Sequence, residues 1–110
     1  DGMCSLFVAH TTAAITTAEL SPGTDLDMID AFDAIVPHIE YSHSHDPGHT
    51  PDHIMASIIG PSLTVPVESG ILQVGNHQRI VLVELNGPQN RDIMFIFLIE
   101  SLSLIPKFTT

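Results

Sequence analysis

The hydrophobic period of this chain changes at Gly60-Pro61, and no other feature restricts its fold as much. Before that point Ile54, Met55, Ile58 and Ile59 recur at helical spacing. After it Leu63, Val65 and Val67 alternate with Thr64 and Pro66, as a strand with one apolar face does. The helix has start signals as well: Thr50 as a cap, Pro51 at the first helical position, and Asp52 against the positive end of the helix dipole. Glycine followed by proline stops it after about two and a half turns at 3.6 residues per turn.

The remaining segments are just as clearly punctuated. Met3 to His10 alternates as a strand, with Leu6, Val8 and His10 on one face, and Ala13 to Leu20 reads as extended. Ser21-Pro22-Gly23 breaks the chain before a helix over Thr24–Val36. Leu26, Ile29, Phe32, Ile35 and Val36 form its apolar stripe, and Asp25, Asp27, Asp30 and Asp33 its wet face. These aspartates lack the glycine and terminal glutamate of a calcium loop and read as a solvated surface. Beyond Leu63–Val67, where Pro66 argues for an edge or irregular strand, Ile71–Val74 pairs back across a Ser69-Gly70 turn. A strand over Gln78–Leu85 follows the Gly75-Asn76 turn. After Asn86-Gly87-Pro88, the apolar run Asp92–Ile105 suits a strand buried on both faces or in a subunit interface, and Pro106 closes it. The order strand, helix, helix, antiparallel strands predicts a single α+β domain over residues 1–110: a largely antiparallel sheet sandwich with two helices.

Charge narrows the function classes. Thirteen acidic residues stand against Arg79, Arg91 and Lys107, for a formal net charge of −10, which argues against nucleic acid as a partner. Any phosphate-bearing substrate must then be met by one of these cations, a metal, or amides at a helix start. A mean hydropathy of +0.28 with only 15% charged residues points to surface buried between subunits. No apolar run approaches the roughly 20 residues of a membrane span, and no signal peptide is readable, so a cytoplasmic protein is expected. The lone Cys4 lies in an apolar stretch and reads as core.

The chemistry-bearing feature is the connection into the second helix, where His43, His45, His49 and His53 fall within eleven residues. Imidazole is the commonest metal ligand and titrates near neutral pH, so metal binding and acid–base chemistry are both open here, as is a merely solvent-exposed loop. His53 falls in the first helical turn, a position that suits a metal ligand or a base.

His10-Thr11-Thr12-Ala13-Ala14-Ile15-Thr16, Tyr41-Ser42-His43 and the run Pro51-Asp52-His53 through Glu68 together resemble the YjbQ family, and Gly75 through Glu84 with Asn86-Gly87-Pro88 extends the likeness in the same order. The resemblance implies a homotrimer of small α+β subunits with secondary thiamine-phosphate synthase activity, which couples a pyrimidine diphosphate to a thiazole phosphate. It implies a site of His10, His43 and His53, able to hold zinc or another divalent metal with an open position or to carry protons, with Glu19 and Glu84 as further catalytic residues. Thr11, Thr12, Ser57 and Gln78 would be its binding residues for a small phosphorylated molecule. Glu84 would meet a metal or imidazolium there, or else pair with Arg79 or Arg91 or face solvent. His45 and His49 are not demanded by the pattern. The chain departs from it at Ala18 and Leu20, where the family has asparagine, and at His77, where it has tryptophan, and it looks shortened before Met3. A metal-dependent hydrolase and a non-catalytic metal-binding trimeric module are the alternative readings.

Overall fold

The computed structural model of the chain describes residues 1–99, so the expected continuation of the last strand to Ile105 and its end at Pro106 lie outside the described residues. Strands β1 (Gly2–Val8), β2 (Ala13–Ala18), β3 (Ser62–Glu68), β4 (Ile71–Leu72), β5 (Arg79–Glu84) and β6 (Ile93–Ile99) form two antiparallel sheets, β4-β3-β1-β6 and β2-β5. Helices α1 (Thr24–Ile35) and α2 (Thr50–Ile59) complete the α+β fold, with a 3-10 turn at Pro47–His49 leading into α2.

The two sheets meet over Val8, Ala13 and Ile15, with Leu6, Leu63 and Ile80 packed against them. These are the in-facing residues of their strands, as the period-two pattern requires. Cys4 is buried and unpaired, as expected. Pro66 does not sit on an edge strand, because β3 lies between β4 and β1. Its carbonyl accepts the Gln73 N–H at 2.9 Å on the β4 side, and a strand residue's N–H and C=O point the same way. The donor that proline lacks therefore faces the end of the two-residue β4, and little of the ladder is lost. Ser69 (φ 51°) and Gly70 (φ 76°) make the β3–β4 turn with two left-handed residues, the geometry that matches strand twist.

Helix α2 packs on β2 through Pro51, Met55 and Ala56, leaving Ile58 exposed, so its buried face is rotated from the one the isoleucines suggest. Thr50 does not cap it. His49 holds the cap position, and the Thr50 hydroxyl donates back to the Asp46 carbonyl at 3.3 Å, which ties the 3-10 turn to the helix. Gly60 leaves α2 at φ 105°, and its carbonyl accepts the Ile15 N–H at 3.1 Å, while that of Pro61 accepts the Val8 N–H at 2.8 Å. The stop signal thus anchors α2 to both sheets.

Two amphipathic expectations are corrected. No residue of α1 is buried; of its stripe, Ile29 and Phe32 join Met28 in lining an open groove of about 340 Å³ with Val81 and Val83 of β5, Leu26 and Ile35 are exposed, and Val36, just past the helix, is buried. Among the described residues β6 pairs only with β1, and within one chain no element covers either of its faces: all seven of its apolar residues are 42% to 75% exposed, which overturns burial on both faces and leaves the subunit-interface alternative standing. No helix among the described residues is long and apolar enough to cross a membrane.

Candidate functional site

Strand β1 stops at Val8, where its ladder with β6 ends, so His10 lies in the Ala9–Thr12 crossing to β2 rather than on the strand face. The Gly60-Pro61 anchor brings the first turns of α2 beside that crossing. His10, Thr11, His53 and Ser57, with Ala13, Ala56 and Pro61, line an open cleft of about 270 Å³. Ser57 follows His53 by four residues and so shares its helix face.

Both imidazoles are oriented by backbone. His53 Nδ1 lies 3.2 Å from the Thr11 carbonyl, which can only accept, so Nδ1 carries the proton and Nε2 keeps its lone pair. The Asp92 N–H donates to His10 Nε2 at 2.7 Å, so that atom accepts and the proton of the neutral ring sits on Nδ1. The Ala9 N–H donates to the Asp92 carbonyl at 3.4 Å, which clips the same residue to β1 from its other side.

Behind this clip lies an ion pair. Glu84 takes Arg91 in a two-pronged grip, Nε to Oε2 at 2.7 Å and Nη2 to Oε1, and the same Nη2 donates to the Thr12 carbonyl at 3.2 Å and hydroxyl at 3.1 Å. The Arg91 side chain is 5% exposed and that of Glu84 30%. The Arg91 hydrogen bonds hold the Glu84 carboxyl down at about 2, and Glu84 in turn raises the guanidinium. Of the three fates open to Glu84, pairing with Arg91 is the one realised.

The other anticipated residues lie elsewhere. Glu19 and Gln78 sit at the far end of the β2–β5 ribbon, roughly 20 Å from the crossing at about 3.3 Å per strand residue. There Glu19, His77 and Arg79 line a second cleft of about 250 Å³. Hydrogen bonds from Ser21 hold the Glu19 carboxyl below its ordinary value, and Gln78 closes the Gly75–Gln78 turn through the Gly75 N–H at 2.8 Å. His43 is exposed in the connection before α2 and does not line the cleft. His49 leans on Asp52 at 3.3 Å.

A zinc centre of His10, His43 and His53 does not fit this geometry. His43 stands apart, His10 Nε2 is engaged by an N–H, and among the described residues no three His, Cys, Asp or Glu side chains converge to hold a metal. Reading residue types missed Arg91 and Asp92 as site residues. Arg91 could be suspected as one of three cations in an acidic chain, but Asp92 acts through its backbone N–H, which side-chain chemistry cannot reveal.

Two antiparallel sheets, an α2 start facing a strand crossing, and paired imidazoles in an open cleft define a small α+β protein with a candidate small-molecule site. The chain belongs to the YjbQ family: the model for UPF0047 proteins, YjbQ-like, matches residues 1–100. It is 37% identical over 102 residues to a UPF0047 protein of Mycobacterium bovis, covering 91% of this chain and 79% of the relative. It is 36% identical over 91 residues to Bacillus subtilis YugU, covering 82% and 69%. Among solved structures, it is similar to a YjbQ/UPF0047 protein of Clostridium acetobutylicum (TM-score 0.81, 31% identity, 89% of this chain and 76% of that one). A hypothetical protein of Aeropyrum pernix is similarly close (TM-score 0.82, 32% identity, 90% and 75%).

Proposed function

We propose that the His10/His53 cleft is an acid–base site for a small phosphorylated molecule, and that its reaction is the thiamine-phosphate synthase coupling implied by the resemblance to the YjbQ family. The observation that carries this reading is the commitment of His53 Nδ1–H to the Thr11 carbonyl, which leaves Nε2 as the atom where a proton is taken up and released. In the coupling, the thiazole nitrogen attacks the pyrimidine methylene carbon. The carbon–oxygen bond to diphosphate breaks, its electron pair leaves with the diphosphate, and His53 Nε2, which has first taken a proton from solvent, gives it to the departing oxygen and recovers its lone pair. The Ser57 hydroxyl and the first-turn amides of α2 meet phosphate oxygens. Of the cations among the described residues, Arg91 is engaged with Glu84 and Thr12 and Arg79 lies at the other end of the ribbon, so hydrogen-bond donors take the part of cations there.

Assembly belongs to the same proposal. The apolar β6, exposed on both faces, supports self-association, because a monomer in water gains from covering such a strand, and the resemblance to the YjbQ family makes the assembly a homotrimer.

The test is thiamine phosphate formation by wild type and His53→Gln under saturating substrates. The glutamine variant is expected to lose on the order of 10²–10⁴ in kcat, the usual share of a general acid or base. A wild-type rate in the variant contradicts the assignment.

A further inference from the structure

We propose that Arg91, gripped by Glu84, is a positioning residue that sets the tautomer of His10 through the adjoining Asp92 amide, so that His10 serves as a fixed Nδ1–H donor opposite the proton-accepting His53. Arg91 is pinned by four hydrogen bonds to Glu84 and Thr12, and Asp92 is the next residue, its N–H 2.7 Å from His10 Nε2. Thr12 follows Thr11, whose carbonyl orients His53. One buried guanidinium therefore holds both backbone segments that orient the two rings.

The consequence is an asymmetric pair. An imidazole free in water favours the proton on Nε2, the opposite of what the Asp92 N–H demands here. His10 lines the cleft, and among the described residues its Nδ1–H has no partner, so that hydrogen is available to a ligand oxygen. His53 presents a lone pair at Nε2. A ligand that satisfies both offers an accepting oxygen beside an atom that exchanges a proton, as a phosphate ester or diphosphate oxygen does. This substrate class rests on the acid–base reading of the cleft, whereas the tautomer does not.

The experiment is ring-nitrogen NMR of uniformly ¹⁵N-labelled protein, with His10→Asn identifying the His10 signals and the backbone spectrum reporting the fold. Wild type is expected to show a pyrrole-type Nδ1 and a pyridine-type Nε2 at His10. Arg91→Lys keeps the charge but loses the fork, and it is expected to move His10 mostly to the Nε2–H form with the backbone spectrum otherwise retained. Asp92→Pro removes the donor itself and is expected to do the same with the Glu84 and Arg91 side chains untouched. In the coupling assay, Arg91→Lys should lower kcat on the order of 10²-fold, as small misplacements of site groups do, with less effect on KM. An Nε2–H His10 in the wild type overturns the proposal, and so does a folded Arg91→Lys or Asp92→Pro protein with the wild-type tautomer. If the tautomers behave as stated and no protein makes thiamine phosphate, the functional reading falls and the positioning role stands.

Discussion

Glu84 shows how one residue's surroundings decide its use. A carboxylate in an apolar strand must be paired or exposed, and the two-pronged Arg91 grip supplies the pairing. Its folded value of about 2 lies below the ordinary 4.5, so the charged form stabilises the fold. That contribution is present in full above about pH 4.5 and is lost as pH falls towards 2. Melting temperatures of wild type and Glu84→Gln should therefore differ at neutral pH and converge on acidification, and a gap independent of pH would count against the pair's role. Sequence alone could name Glu84 as a residue needing a partner and Arg91 as one of the few available. It could not choose between them, because the partner is set by how the Asn86-Gly87-Pro88 turn returns the chain. The same limit hid the fates of the histidines. His10 and His53 meet because one strand ends early and one helix starts beside it, while His43, equally prominent in the sequence, stays outside.

At the scale of elements, Gly60 carries more than a stop. Its φ of 105° and ψ of 155° fall in a region that side-chain-bearing residues avoid, yet a Cβ built there meets nothing within 4 Å. Gly60→Ala should thus cost about 1–3 kcal/mol from the backbone alone, read as a lower urea midpoint at unchanged m-value. A cost near zero would mean that the junction relaxes. The helix boundaries were legible because glycine and proline act locally, and strand identities because alternation is local too. Which face each element buries was not. Helix α2 buries Met55 of the expected face but adds Pro51 and Ala56 in place of the isoleucines, and α1 buries nothing, since the partner surfaces that decide such matters lie far away in sequence.

For the whole molecule, the governing fact is that β6 leaves seven apolar side chains in water at a sheet edge. A chain that is 44% hydrophobic announces such surface, but only the strand order shows that one continuous stretch of it lies on an edge strand. The account predicts a trimer by sedimentation equilibrium. Phe95→Lys combined with Ile96→Lys should shift the protein to monomers while leaving its circular dichroism intact, because neither side chain is buried within the chain. A monomeric wild type would remove the assembly from the proposal.

The central claim is that the work is done in the cleft between the Ala9–Thr12 crossing and the start of α2, and backbone NMR shift mapping with the thiazole phosphate tests it most directly. The account predicts saturable shifts at the amides of Thr11, His53, Ala56 and Ser57, and their loss in His53→Gln. Shifts confined to Glu19, Ser21, His77 and Arg79 would contradict it, moving the site to the opposite end of the β2–β5 ribbon.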